Sequence, residues 1–225
     1  MPRYLVPALS KLCEMKTDTL SRECCFQFEE EIRRSRFITS LGKASTREEA
    51  LQFIEAVRKA FPDATHNCWA YAAGSPGDTA CIGQSDDGEP HGTAGKPMLN
   101  LLLFGNIGEI VAVTTRYFGG IKLGTGGLVR AYQSGVAQAL KLLPVQQKTV
   151  PVFFELETEY SRLNKIKRIF PEFEVCIMEE LFTDIVRISV MLPEDSAESF
   201  KKALIQATEG AVRISAQKEK KSELA

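Results

Sequence analysis

Residue types able to do chemistry gather in two runs. The first, 115–132 (TRYFGGIKLGTGGLVRAY), sets Gly119, Gly120, Gly124, Gly126 and Gly127 among three basic side chains, Arg116, Lys122 and Arg130. Tyr117 and Phe118 stand beside them. Glycine tolerates positive φ and lets backbone approach another group closely. The preceding apolar run 110–113 (IVAV) reads as a buried strand. Afterwards Leu128, Tyr132, Val136, Ala139 and Leu143 recur every three or four residues, one face of a helix. A glycine-rich turn feeding a helix presents unpaired N–H groups and the positive end of the helix dipole, a seat for an anion or a polar backbone. From 110 to 154 there is no Asp or Glu, while Arg116, Lys122, Arg130, Lys141 and Lys148 all fall there. In a chain of net charge -1, such a one-signed segment points to an anionic partner. Lys141 and Lys148 fit a solvated helix face equally well.

The second run, 85–97 (SDDGEPHGTAGKP), places Asp86, Asp87 and Glu89 within four residues, followed by Thr93 and Lys96. Three carboxylates could hold magnesium, which favours oxygen ligands. The competing reading, which the Asp87-Gly88 pair favours, is a tight turn with solvated acids. A third is pairing with Arg116 or Lys122 where the two runs meet. Thr93 is the expected cap of the helix that follows through Met98, Leu101 and Leu102 to Phe104. Neither run is a nucleotide fingerprint. Pro90 and Pro97 occupy positions where a phosphate-binding P-loop needs Gly and Ser or Thr, and Val129 stands where a dinucleotide motif needs its third glycine. His91 could serve as an acid or base, but no Ser or Cys lies in a nucleophile elbow near it. Trp69, Tyr71, Tyr117 and Phe118 could stack on bases, although Trp69 on a strand suits a core. No cofactor or metal motif is read.

The elements that must position these runs are legible in pattern. The chain has 225 residues, 44% apolar and 25% charged, room for one large or two small domains. No run reaches the roughly 18 apolar residues of a membrane helix, and no signal peptide is read. Six cysteines without a C-x-x-C pair, and only His66 and His91 as histidines, make neither a disulfide framework nor a zinc site. A cytoplasmic location is expected. Residues 1–20 are expected to form a loosely docked lead-in. Strands are expected at 23–29, 37–41, 68–73 and 80–83. A capping box at 46–49 (TREE) opens a helix with Ala50, Phe53, Ile54, Val57 and Phe61 on its apolar face, stopped by Pro62. Of 16 glycines, 13 lie between Gly74 and Gly127, so loop chemistry is concentrated there. Past a boundary at 143–149, strand and helix periods alternate as β-α-β-β-α-β over 150–217, the ferredoxin-like arrangement. In it Phe173, Val175 and Ile177 are expected on one strand. A charged tail, 218–225, is expected to fray.

The ordered stretches 64–71 (ATHNCWAY), 85–90 (SDDGEP), 92–97 (GTAGKP) and 115–132 together resemble the IMPACT family, in its bacterial, YigZ-like branch. The resemblance covers roughly residues 21–145. It implies a mixed α+β, two-layer N-terminal domain similar to domain IV of elongation factor G. The C-terminal segment is similar to the small domain that bacterial members append, itself similar to domain V of that factor. Eukaryotic relatives regulate translation by competing for the activator of an initiation-factor kinase, a partner that bacteria lack. The family carries over no catalytic residues. What it carries over is the position of its signature: Gly119, Gly120, Gly124, Gly126, Gly127 and Arg130, with Asp86, Asp87, Gly88 and Glu89.

The functional expectation is a translation regulator that binds RNA, the ribosome or a translation-associated protein through the basic glycine-rich surface. Two alternatives stand beside it: a magnesium-dependent hydrolase of phosphates or nucleotides built on Asp86, Asp87 and Glu89, and a protein-interaction module without nucleic-acid binding. No membrane partner is expected.

Overall fold

A computed structural model describes residues 3–11 and 21–217. Most of the 1–20 lead-in and the whole 218–225 tail lie outside the described residues. The chain runs β1 (Arg3–Pro7), β2 (Phe26–Ile32), β3 (Ser35–Lys43), α1 (Arg47–Ala60), β4 (His66–Ala72), β5 (Ile82–Ser85), α2 (Gly95–Phe104), β6 (Ile110–Tyr117) and α3 (Thr125–Leu142). It continues through β7 (Val145–Thr149), β8 (Pro151–Thr158), α4 (Tyr160–Lys167), β9 (Cys176–Phe182), β10 (Val186–Pro193), α5 (Ala197–Thr208) and β11 (Arg213–Gln217). Tyr4–Gln147 packs as one unit, and Lys148 onward, with Arg3, as a second.

The first unit is built on a five-stranded sheet, β2-β3-β6-β4-β5, antiparallel at every neighbouring pair. Strand β6 is central because its 110–116 stretch is buried on both faces. Ile110 and Ala112 pack beneath α2 and α3, with Phe37, Leu41, Met98, Leu102, Tyr132 and Val136. Val111 and Val113 face the other way, against Phe53, Ile54 and Val57 of α1. This alternation follows from the period of two along a strand. Helices therefore cover both faces of the sheet, α2 and α3 on one and α1 on the other.

Local chemistry accounts for the ends of α1. The Thr46 hydroxyl accepts from the Glu49 amide at 3.2 Å, the first half of the expected capping box. The second half goes elsewhere, since Glu49 Oε2 accepts from the Ser45 amide and hydroxyl at 2.7 and 2.9 Å. Other expectations shift by a few residues. The first sheet strand starts at Phe26, because the Cys24 and Cys25 amides turn back onto the Ser21 carbonyl. The strand expected at 80–83 is Ile82–Ser85. The lead-in is corrected where it is described: Arg3–Pro7 pairs with Val145–Thr149 in a two-stranded sheet, and Val6 and Leu9 are buried.

The second unit has the β-α-β-β-α-β order, with sheet order β11-β8-β10-β9, antiparallel throughout. Its core sets Phe154, Leu156, Ile188 and Val190 against Ile166, Phe200 and Leu204. Phe173 and Val175 pack on this core ahead of β9 rather than on it, because a short 3-10 turn, Phe170–Phe173, intervenes. Among the described residues, no helix is long and apolar enough to cross a membrane.

Candidate functional site

The two chemically loaded runs meet. The second closes as a tight turn: the Glu89 amide donates to the Asp86 carbonyl at 2.9 Å, with φ of 43° at Asp87 and 86° at Gly88. Positive φ at both central residues marks a type I′ turn, which Asp-Gly suits. Its acids, however, are not solvated, and that expectation is corrected. Asp86 Oδ1 accepts from the amides of Ala94 and Gly95 at 3.0 and 2.9 Å, and Oδ2 from Gly92 at 2.8 Å. Asp86 is thus the cap of α2. Burial pushes its carboxyl upward, but the three N–H donors, with His91 nearby, outweigh that and hold its pKa below the ordinary Asp value. Thr93, expected as that cap, instead donates its hydroxyl to the Pro90 carbonyl at 2.6 Å. Asp87 Oδ2 accepts from the Asn67 amide at 2.6 Å and Oδ1 from Arg58 Nη2 at 2.8 Å, pinning the start of β4 to α1.

Glu89 lies deepest, with a side chain only 3% exposed. Its Oε1 accepts from Arg116 Nη1 at 2.6 Å and from the Tyr132 hydroxyl at 2.8 Å. Arg116 is itself 5% exposed, with Nη2 donating to Ser35 Oγ at 3.3 Å and its guanidinium 5.4 Å from the Phe37 ring centroid and 5.5 Å from that of Phe118. The expected surface cation is therefore an internal partner of the acidic turn. Alternation explains this: residue 116 shares the side of β6 that faces α2 and α3 with Ile110 and Ala112. Cys68 Sγ donates to Tyr132 Oη at 3.3 Å; burial pushes this thiol up to about 12, although the Tyr132 hydrogen bond opposes it, so it stays protonated and unreactive. Burial, then Cys68 and Glu89, also raise the Tyr132 hydroxyl, which remains a donor.

A cleft of about 440 Å³ opens above this network, between the turn, the end of β6 and the start of α3. Glu89, His66, Phe118, Lys122 and Thr125 line it. His66 Nδ1 donates to the Asp87 carbonyl, which can only accept, at 2.8 Å, and its Nε2 stands 4.0 Å from Glu89 Oε2. Gly124, with φ of 74°, caps α3 without a side chain. Gly119 approaches the Arg34 carbonyl so closely that a Cβ there would stand 1.8 Å from its oxygen.

Other predicted residues are dispersed. Arg130 is exposed and shares a 260 Å³ hollow with Arg33 and Gly127. Tyr117 donates to Asp63 at 2.9 Å and lies under Arg36, away from the cleft. Trp69 and Tyr71 stack at 5.9 Å on the α1 side of the sheet. Gly120 has φ of 85°, whereas Gly126 is in the first turn of α3. His91 and Lys96 are exposed. Sequence reasoning missed His66, Arg33 and Arg34. The last two share positive φ on the β2–β3 turn, 48° and 64°, a backbone state that no motif announces.

Comparison with known proteins follows the same division. Residues 33–140 match the family described as Impact N-terminal domain, and 156–211 match a domain of unknown function (DUF1949). The chain is 44% identical over 185 residues to "IMPACT family member YigZ" of Escherichia coli, covering 82% of this chain and 91% of that one. It is 43% identical over 187 residues to an "IMPACT family member" of Haemophilus influenzae, covering 83% and 91%. A solved structure titled "Crystal structure of an hypothetical protein" is similar at 40% identity and a TM-score of 0.63, covering 98% of this chain and 100% of that one.

Proposed function

The chain belongs to the IMPACT family, and from that premise we propose that it regulates translation by binding RNA through an exposed basic edge. Arg33, Arg34, Lys122 and Arg130 form that edge. All four are exposed, Arg33 and Arg130 line one hollow, and Arg34 is locked against Gly119 of the glycine-rich loop. The observation carrying this reading is that the 110–154 segment bears no acid, so Lys122 and Arg130 have no counter-charge along the segment that presents them, and the close approach of Gly119 to Arg34 sets the β2–β3 turn beside it. Phe118, 46% exposed at the loop's entrance, offers a face for an unstacked base. Arg116 belongs to the scaffold beneath this surface rather than to the surface. A cytoplasmic location accords with the free state of the described cysteines, Cys24, Cys25, Cys68, Cys81 and Cys176.

Two rival functions are weaker on the same ground. The magnesium-hydrolase reading needs open carboxylate oxygens, and those of Asp86 and Asp87 are committed to amide donors and Arg58. A protein-interaction module would bind with little salt dependence. The test is affinity for cellular RNA and for ribosomes, measured at several salt concentrations. For Arg33→Ala, Arg34→Ala and Arg130→Ala, binding should weaken across all sequences, and the salt slope should fall by about one unit for each phosphate no longer neutralised. A wild-type affinity that ignores salt would transfer the assignment to the protein-interaction module.

A further inference from the structure

We propose that the outer edge of β9 docks an extended segment of another protein, added antiparallel as a fifth strand. The segment carries two adjacent apolar residues and, two places after the second, a basic one. This does not rest on RNA binding, since β9 belongs to the second unit and the basic edge to the first.

Strand β9 ends the sheet order β11-β8-β10-β9, so the backbone groups along its outer side have no strand partner among the described residues. Such an edge is a template for a further strand. Its seven residues, CIMEELF, include neither the lysine nor the proline that commonly guards an edge. The guards present are two acids and a bulge at Met178, where the register with β10 slips between Ser189 and Val190. Past that bulge, Glu179, Glu180, Leu181 and Phe182 pair with β10 in unbroken register, a regular stretch on which another strand can build. Leu181 and Phe182 are 48% and 54% exposed, and Tyr160 of α4, also half exposed, stands 6.3 Å from the Phe182 ring. Ile177 and Met178 extend the exposed apolar surface along the same strand. Large apolar side chains gathered on one edge mark a contact surface.

Charge decides which partner fits. Residues 170–186 carry five acids, Glu172, Glu174, Glu179, Glu180 and Asp184, and no Lys or Arg. The stretch stays net negative after Lys167 meets Glu180 and Arg3 meets Glu174. Arg187, opposite Leu181 on β10, is turned to Glu157 of β8 at 2.8 Å. Such a field repels nucleic acid, and a second copy would bring an equally acidic stretch against it. A basic segment suits it. Register then sets the order of residues. Glu179 and Leu181 share the face away from the core, and Glu180 and Phe182 share the other. Lys167 already serves Glu180, whereas Glu179 is exposed and within reach of an added strand. An antiparallel segment thus sets apolar residues opposite Phe182 and Leu181, a neutral one opposite Glu180 and a basic one opposite Glu179.

The test is amide NMR titration of the full chain with an acetylated and amidated peptide, Thr-Val-Val-Thr-Lys-Thr. Shifts should saturate and fall on 176–182 and 186–191. Glutamate in place of the peptide's lysine should weaken binding about tenfold, since attraction becomes repulsion. Two further peptides are N-methylated at alternate residues. The one blocked on the amides facing β9 should lose binding, and the other should keep it. Leu181→Thr and Phe182→Thr should weaken binding severalfold at unchanged melting temperature, while Phe104→Ala, exposed in the first unit, leaves it unchanged. The proposal is overturned if the peptide does not saturate, if the shifts map elsewhere, if the glutamate peptide binds equally well, or if the two methylated peptides behave alike. Two other occupants would also overturn it. A dimer seen in sedimentation and dissolved by Leu181→Thr would make β9 an interface between copies, and an RNA oligomer that shifts the β9 amides would make it a nucleic-acid surface.

Discussion

Arg116 and Glu89 are each almost sealed from water, and each is the other's charge partner. Removing one member of such a pair leaves an uncompensated buried charge, which typically costs ~3–5 kcal/mol. Arg116→Ala should therefore lower stability by that amount in urea unfolding. Lys122→Ala, at an exposed position, should stay within ~0.5 kcal/mol of the wild type. Equal midpoints for the two variants would remove Arg116 from the scaffold. Asp86 acts differently, through pH. Its folded pKa is depressed, because three amides together overcome the effect of burial. Its contribution to stability is then fully present above the unfolded Asp value of ~3.9 and drains away as pH falls through the lower folded value. Asp86→Asn should cost ~1 kcal/mol at neutral pH, the usual loss for a helix cap. It should also flatten the loss of stability below about pH 4. Parallel acid limbs for variant and wild type would show that the carboxylate charge is not what caps α2.

Among the elements, the join between the β2–β3 turn and the loop after β6 depends on one missing side chain. A Cβ at Gly119 would stand 1.8 Å from the Arg34 carbonyl oxygen and 2.1 Å from its carbon, with only backbone to yield. Gly126 is the internal control, since a Cβ there meets nothing within 4 Å and its place in α3 suits alanine. Gly119→Ala should lower the melting temperature by several degrees and displace the loop. Gly126→Ala should hold stability or raise it by a few tenths of a kcal/mol to about 1 kcal/mol. Thermal melts of the two variants decide this, and a harmless Gly119→Ala would mean that the loop and turn separate freely in solution. The pairing of turn and loop also explains why Arg33 and Arg34 belong with Lys122 and Arg130, although a long stretch of chain intervenes.

For the molecule as a whole, the second unit carries its own closed ladder and its own core, from Phe154 and Leu156 to Phe200 and Leu204. Among the described residues, that core takes nothing from before Lys148. A fragment of residues 148–217 should fold alone, with dispersed amide NMR signals and a cooperative urea transition. At that size a single core rarely supplies more than ~3–5 kcal/mol, so the midpoint should be low. Collapsed amide dispersion in the fragment, against an ordered full chain, would show that the unit needs the rest of the protein. Independent folding would let RNA affinity be measured with and without it, assigning the basic edge to the first unit alone.

What the sequence determined by itself is what local pattern carries. The Thr46 cap, the 3.6-residue stripe of α3, the IVAV core of β6, the Asp87-Gly88 turn and the alternation of β8 and β10 are all stated within a few neighbouring residues. Each was legible because periodicity and turn chemistry act over one or two turns of chain. The ordered motifs also carried the family, for the same reason. Only the tertiary structure decided which charges are surface and which are scaffold. Glu89 and Arg116 are 27 residues apart, and the alternation of β6 turns Arg116 inward without naming the acid that it meets there. Arg116 points along the core face of a strand toward a buried acid, and Lys122 stands on an exposed loop. Asp86 likewise caps a helix eight and nine residues downstream because the chain turns back on itself between them. A charge takes its role from the partner that folding brings to it, and that partner is set by the packing of the sheet rather than by distance along the chain.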